Sequence, residues 1–176
     1  MADKEYIFFW QLGDENDIYS NWYPTRFIVE GIMYESSEQY IMAKKALLLG
    51  DTRAYNKIMA TSDPAEAKKY GREAKDYTGN LGCWDQIKFE VAFNANFAKF
   101  TQNSDLCDKI ISSGEAHFVE ASPLDKIWGI GLATDDPKAL NRDEWQGGNL
   151  QGLVLDAVRH AMRLHQPTDT GSMVKE

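Results

Sequence analysis

Glu38 and Lys45 stand seven positions apart in Ser36-Ser37-Glu38-Gln39-Tyr40-Ile41-Met42-Ala43-Lys44-Lys45, a run without a helix breaker. Seven residues are close to two helical turns, so the acid and the amine share a face about 10 Å apart along the axis. Ile41, Met42 and Leu49 lie on or beside that face. The two groups cannot pair directly at this separation, and a sugar-sized ligand fits between them. A carboxylate there can stabilise positive charge, position water or move a proton, and an amine can attack an electrophilic carbon. A second reading stays open: Lys45 snorkels to solvent, and Glu38 supplies only first-turn charge. Lys44 belongs to a different face, with Tyr40 and Leu48.

Other charged or polar residues interrupt apolar segments in the same way. Arg72 follows Gly71, where it can reach a phosphate or carboxylate bidentately or serve as a surface arginine. Lys88 falls between Ile87 and Val91, so its charge needs a partner, a ligand or a place at the core's edge. Asp125 and Trp128 are three apart in a loop where Gly129 and Gly131 let backbone approach a ligand. Trp128 either stacks on a base or ribose or plugs the core, and Asp125 either lines the same pocket or caps a turn. Glu120, in Phe118-Val119-Glu120-Ala121, points inward if that run is a strand. Gly148-Asn149-Leu150-Gln151-Gly152 precedes the last helix, where Asn149 and backbone amides could hold a phosphate or ribose hydroxyl. It has neither the ending nor the spacing of a P-loop. Arg159 either neutralises an anion or pairs with Asp156 or Glu144.

Short elements must position these groups. Tyr6 to Trp10 reads as a strand, and Phe27 to Tyr34 as a hairpin turning at Glu30-Gly31. Ser36 and Gln39 have capping-box spacing, which starts a helix ending before Gly50. Thr52 to Ala60 forms a second helix, and Asp63-Pro64 starts a third that should end at Gly71. Trp84, Ile87, Val91, Ala95 and Ala98 mark the buried stripe of a long helix from Cys83 to Phe100. A shorter helix covers Leu106 to Ile111, a strand His117 to Ala121, an irregular loop Thr134 to Gly148, and a closing helix Leu150 to Leu164. The expectation is one mainly α domain of α+β type with a small antiparallel β component over residues 1–165. A flexible tail is expected over 166–176.

The 176 residues are enough for one domain with a sizeable core, and 43% hydrophobic content argues against disorder. A formal charge of −8 disfavours strong nonspecific nucleic-acid binding while leaving room for a local basic pocket. No run approaches the ~20 apolar residues of a membrane span. Cys83 and Cys107 are widely separated and read as free thiols in the cytoplasm. Neither they nor His117, His160 and His165 have metal-ligand spacing, so no metal or cofactor is expected.

Seven islands, in order, resemble one family. They are Ser20-Asn21-Trp22-Tyr23-Pro24, Ser37-Glu38-Gln39-Tyr40 with Ala43-Lys44-Lys45-Ala46, Gly71-Arg72, Trp84-Asp85-x-x-Lys88, Val119-Glu120-Ala121, Asp125-x-x-Trp128-Gly129-x-Gly131 and Gly148-Asn149-x-x-Gly152. The chain is similar in this to the NADAR, or YbiA-like, family over about residues 6 to 164. The resemblance implies a compact, mainly helical fold and N-glycosidase chemistry on ribosyl compounds. The implied substrates are phosphorylated intermediates of riboflavin biosynthesis, or ADP-ribosylated guanine, free or in single-stranded nucleic acid. It implies Lys45 as a Schiff-base nucleophile, with Lys88 in reserve, and Glu38 and Asp125 as acid–base residues. Apolar surroundings should lower the pKa of Lys45 and favour its neutral form. Asn21, Trp22, Tyr40, Arg72, Lys88, Glu120, Trp128, Gly129, Asn149 and Arg159 are then the substrate-binding candidates. Two other functions fit the same islands: a non-catalytic ADP-ribose or nucleotide reader, and an interaction protein in which they are packing motifs.

Overall fold

The computed structural model describes residues 6–165. The expected tail lies outside the described residues. Helix α1 (Ser37–Leu48) begins where Ser36 caps it, its Oγ accepting from the Gln39 amide at 3.2 Å. The return arm of the capping box goes elsewhere. Gln39 Oε1 accepts from Glu35 N at 2.8 Å, and its Nε2 donates to Ile58 O and Thr61 O. Gln39 therefore closes two helix ends at once: the start of α1 and the finish of α2 (Thr52–Met59). Asp51 acts similarly, capping α2 through Ala54 N at 2.9 Å and accepting Lys75 N at 2.9 Å.

Asp63 and Pro64 start α3 (Pro64–Glu73) as their types demand. The helix does not stop at Gly71. That glycine is buried against α1, and a Cβ on it would stand 2.8 Å from the Cβ of Met42. Gly71 is thus a spacer between α1 and α3, and Arg72 rides in the last turn of α3.

The hairpin forms as expected, β2 (Phe27–Val29) against β3 (Ile32–Tyr34), with Glu30 and Gly31 at φ of 53° and 78°. These left-handed residues give the turn twist that two-residue hairpins need. Helix α4 (Leu81–Gln102) crosses the domain and ends beside the hairpin. There the Gln102 amide both donates to and accepts from the backbone of Ile28, at 2.8 Å each way, and covers the strand's open edge. A short α5 (Ser104–Ile111) follows.

The antiparallel hairpin is joined by a pairing that the sequence reading does not foresee. Strand β1 (Tyr6–Phe9) runs parallel to β4 (His117–Glu120), over a hundred residues later, with Phe8 opposite Val119. Alternation splits the side chains of this ribbon between two cores. Phe9 and Phe118 join the helical core with Tyr19 and Phe100, the Tyr19 and Phe118 rings 4.6 Å apart. Tyr6, Phe8 and Val119 face a smaller core of Ala121, Ile130, Leu132 and Ala139, so the long loop after β4 folds back over the ribbon.

The closing helix α6 (Leu150–His165) docks on β4 through Gly148-Asn149-x-x-Gly152. Asn149, at φ 52°, accepts from Glu120 N at 3.0 Å and donates to Phe118 O at 2.9 Å, as a neighbouring strand would. A Cβ on Gly152 would overlap the Phe118 carbonyl oxygen. Gly152→Ala should therefore lower the unfolding free energy by about 3 kcal/mol, because backbone must move. Gly82, in the first turn of α4, has open space around it. Gly82→Ala should be neutral or stabilise by about 0.5–1 kcal/mol, both variants being compared with the native chain by urea titration.

Candidate active site

The site is built on the Ser20–Tyr23 loop, which three elements hold in place. Asn21 donates to Gln151 Oε1 on α6 at 2.8 Å and accepts from Asn96 Nδ2 on α4 at 3.0 Å. Gln151 donates back to Asn96 at 3.4 Å, closing a buried ring of three amides. Lys99, with no exposed surface, donates to Ser20 O at 2.9 Å. Asn21 O in turn accepts the amide of Glu38 at 2.9 Å, so the loop also fixes the first turn of α1.

Around this loop lies a cleft in two connected lobes. The inner lobe has a volume of about 590 Å³ and gathers Asn21, Trp22, Glu38, Lys45, Arg72, Lys88, Glu120, Asp125 and Trp128. That size lies within the range of small-ligand pockets. An outer lobe of about 810 Å³ shares Trp22, Lys68, Arg72, Glu120 and Asp125 with it. Nine of the thirteen residues expected at the site thus meet at one place.

The other four do different work. Tyr40 is buried on the opposite side of α1, its ring 4.9 Å from that of Tyr34, with Lys44 above it. Asn149 spends its amide on β4 and is buried beneath it. Gly129 serves close chain packing, since a Cβ there would stand 2.8 Å from Glu120 O. Arg159 is buried in the scaffold, donating to Ala116 O at 2.7 Å and pairing with Asp156 at 3.0 Å. Each is a polar or special residue consumed by a backbone or packing requirement.

Asp125 divides its two oxygens. Oδ1 accepts from Ile127 N at 2.9 Å and Trp128 N at 2.8 Å, and Oδ2 faces Lys68 at 3.8 Å. Its local job is therefore to hold the turn that presents Trp128 and to anchor a lysine, which argues against free proton transfer. Trp128 lines the inner lobe while packing on the helical core. Lys88 pairs with Asp85 at 2.8 Å at the edge of the lobe.

Two carboxyls in the cleft have a bare oxygen. Glu38 Oε1 and Glu120 Oε2 are buried and make no hydrogen bond. Burial pushes the Glu38 pKa up to about 7 against the pull of Lys68 and Arg72, and Asp125 adds to the rise. Burial, then Asp125, pushes Glu120 to about 8 against the pull of Lys68, and Glu38 adds to the rise. Lys45 is shifted downward, first by burial and then by Arg72. Its Nζ makes no ion pair or hydrogen bond with any described residue. At neutral pH the cleft therefore holds Glu120 with its proton and Glu38 divided between its two forms, beside an amine shifted toward its neutral form, with Lys68, Arg72 and Lys126 on the walls of the inner lobe.

Lys68, Asn96, Lys99 and Gln151 are parts of this site that the sequence reading misses. Lys68 sits one turn before Arg72 on α3, on the same face, with its Nζ 5.6 Å from the Trp22 ring. Ending the helix at Gly71 hides that relation. Lys99 lies four residues after Ala95 on the α4 stripe, the same signal that marks Lys88. Among the described residues no group of three or more His, Cys, Asp or Glu could hold a metal ion, and no helix is long and apolar enough to cross a membrane.

Known proteins share this sequence and this fold. An Acanthamoeba polyphaga mimivirus protein, N-glycosidase R617, is 38% identical over 167 residues, spanning 90% of this chain and 97% of that one. A Vibrio vulnificus riboflavin biosynthesis protein is 28% identical over 161 residues, 92% of this chain and 40% of its own length. The NMR structure of the Escherichia coli protein YbiA superposes with a TM-score of 0.75 at 26% identity, covering 93% of this chain and 88% of that one. By sequence, E. coli N-glycosidase YbiA is 30% identical over 161 residues, spanning 91% of this chain and 90% of that protein. With the NADAR domain profile matching residues 8–163, nearly all of the described fold, the chain belongs to the NADAR family.

Proposed function

We propose that the chain hydrolyses the N-ribosidic bond of a phosphorylated riboflavin-biosynthesis intermediate or of ADP-ribosylated guanine, with Lys45 as nucleophile and Glu38 as its acid–base partner. The broader class is N-glycosidase, the name that several curated relatives carry. One observation carries the finer reading. An unpaired amine, Lys45, and a buried carboxyl with a bare oxygen, Glu38, open into one cavity whose walls carry Arg72 and Lys126.

The chemistry follows from charge. Cleaving an N-ribosidic bond leaves positive charge at the anomeric carbon and an electron pair on the departing nitrogen. The neutral amine of Lys45 adds to that carbon as the bond to the base breaks. Loss of the amine proton and opening of the ribose ring give an imine, to which water adds. Collapse then frees the sugar aldehyde and restores the lysine. Glu38, in its ionised form, stabilises the electron-poor carbon and takes up a proton from the amine or the water. In this reading Arg72 and Lys126 face the phosphate, Trp128 and Trp22 wall the ribosyl group, and Asp125 holds Lys68 and the loop. Lys88 is held by Asp85 and is the weaker nucleophile.

Borohydride reduction during turnover should trap a ribosyl adduct on the Lys45 peptide, with either an ADP-ribosylated guanine oligonucleotide or an early riboflavin-pathway intermediate. Lys45→Met should abolish the adduct and lower turnover by about 10³-fold or more, whereas Lys88→Met should stay within about 10-fold. Turnover without an adduct would reject the lysine route and leave water activated by Glu38. Binding without turnover would favour a reader.

Glu38 also makes a prediction about stability. Its pKa is raised on folding from 4.5 to about 7, so the native chain keeps a proton that the unfolded chain releases. Stability from this group is full below pH 4.5 and is lost as pH rises through 7. Glu38→Gln removes that loss. In denaturant titrations the variant should gain about 3 kcal/mol over the native chain at pH 9 and about 1 kcal/mol at pH 5. Its turnover should fall by about 10²–10⁴-fold at both.

A further inference from the structure

The two lobes of the cleft differ in what lines them. Glu38, Lys45 and Trp128 line the inner lobe alone. Trp10, Leu12, Lys69 and Glu73 line the outer lobe alone. Glu120 belongs to both, together with Trp22 and Lys68. Cations gather toward the inner side, where a ribose phosphate belongs. Beside Trp22 and Leu124, which the two lobes share, the outer side has a half-buried indole of its own, Trp10, and an exposed leucine, Leu12. Its one carboxylate outside the shared wall, Glu73, makes no ion pair. Flat apolar walls with an acceptor at the edge suit a planar heterocycle with N–H groups better than a second phosphate.

Resting on the N-ribosidase reading, we propose that the outer lobe receives the departing heterocycle, and that Glu120, on the wall between the lobes, is the acid that protonates it. The bond from the anomeric carbon to the base nitrogen breaks, its electron pair stays on the nitrogen, and the Glu120 proton satisfies that pair. The carboxylate left behind faces Lys68, which already acts on it electrostatically. The group is suited to the task by geometry: Glu120 ends β4, its backbone amide is held by Asn149, and its buried Oε2 has no protein partner. A carboxyl that keeps its proton to about pH 8 is available as a donor at neutral pH. Division of labour follows, with Glu38 serving the sugar side of the bond and Glu120 the base side.

Two measurements test this separately. In the first, Lys45→Met protein is titrated with ribose 5-phosphate and with guanosine 5′-monophosphate. The nucleotide should bind about 10-fold or more tightly than the sugar phosphate, and adding Trp10→Ala should erase that advantage without changing ribose 5-phosphate affinity. No advantage, or an advantage that survives Trp10→Ala, would overturn the subsite. In the second, Glu120→Gln is assayed on two ribosides of different leaving groups: the trapped substrate and nicotinamide riboside 5′-phosphate. A pyridinium departs neutral and needs no proton, so its rate should change by less than about 3-fold. The rate on a base that must be protonated should fall by about 10²–10⁴-fold. Equal losses on both would assign Glu120 a structural role. If native protein turns over no riboside, the acid role and the hydrolase reading fall together, and the first titration still decides the subsite.

Discussion

The buried ring formed by Asn21, Asn96 and Gln151 is the constraint on which the active cleft depends. Each amide meets its neighbours in a place where an unmade hydrogen bond would cost more than a made one returns. The ring therefore fixes the relative positions of the Ser20–Tyr23 loop, α4 and α6 together. Through Asn21 O it also fixes the amide of Glu38 at the head of α1. Lys99 presses from behind on Ser20 O, between the rings of Tyr23 and Phe100. The loop that forms the centre of the cleft has no regular structure, and it is rigid because its backbone groups are bound from several sides.

That rigidity permits an arrangement that would otherwise relax away. Glu38 and Glu120 are carboxyls placed where water cannot reach one oxygen of each. Lys45 stands near them without pairing. Water or a rearranged side chain would normally remove such groups from the interior, since a desolvated, unpartnered polar atom is destabilising. Here the neighbours are committed elsewhere: Asp125 to Lys68 and its own turn, Lys88 to Asp85. The surplus that remains is chemically reactive, and it is concentrated in one cleft. A site that must bind charge in transit is less stable than a fully satisfied one.

Much of the helical architecture was legible locally. Capping signals at Ser36 and Asp63, the turn at Glu30-Gly31 and the stripe from Trp84 to Ala98 depend on residues a few positions apart. Backbone chemistry decides them. The failures have one cause as well. Gly71 looks like a stop because glycine often ends a helix, but a glycine is also what two helices need where they touch, and Met42 supplies the contact. Asn149 and Gly152 look like a ligand loop for the same reason: the types suit an anion site, and they suit a helix docking against a strand edge equally well. The parallel pairing of β1 with β4 joins ends of the fold that no local pattern relates.

The sequence by itself therefore determined the helices and their caps, the membership of the chain in its family, and the identity of the two residues, Glu38 and Lys45, that share a helical face. These follow from periodicities of a few residues and from residue type. Tertiary structure alone decided which polar residues are spent on the scaffold and which are left facing the cleft. Tyr40, Asn149 and Arg159 look as reactive in sequence as Glu120 or Lys68, and differ only in whether a distant chain segment supplies a partner. Whether a polar group is satisfied is set by residues far away along the chain, so it becomes visible only once the segments have packed.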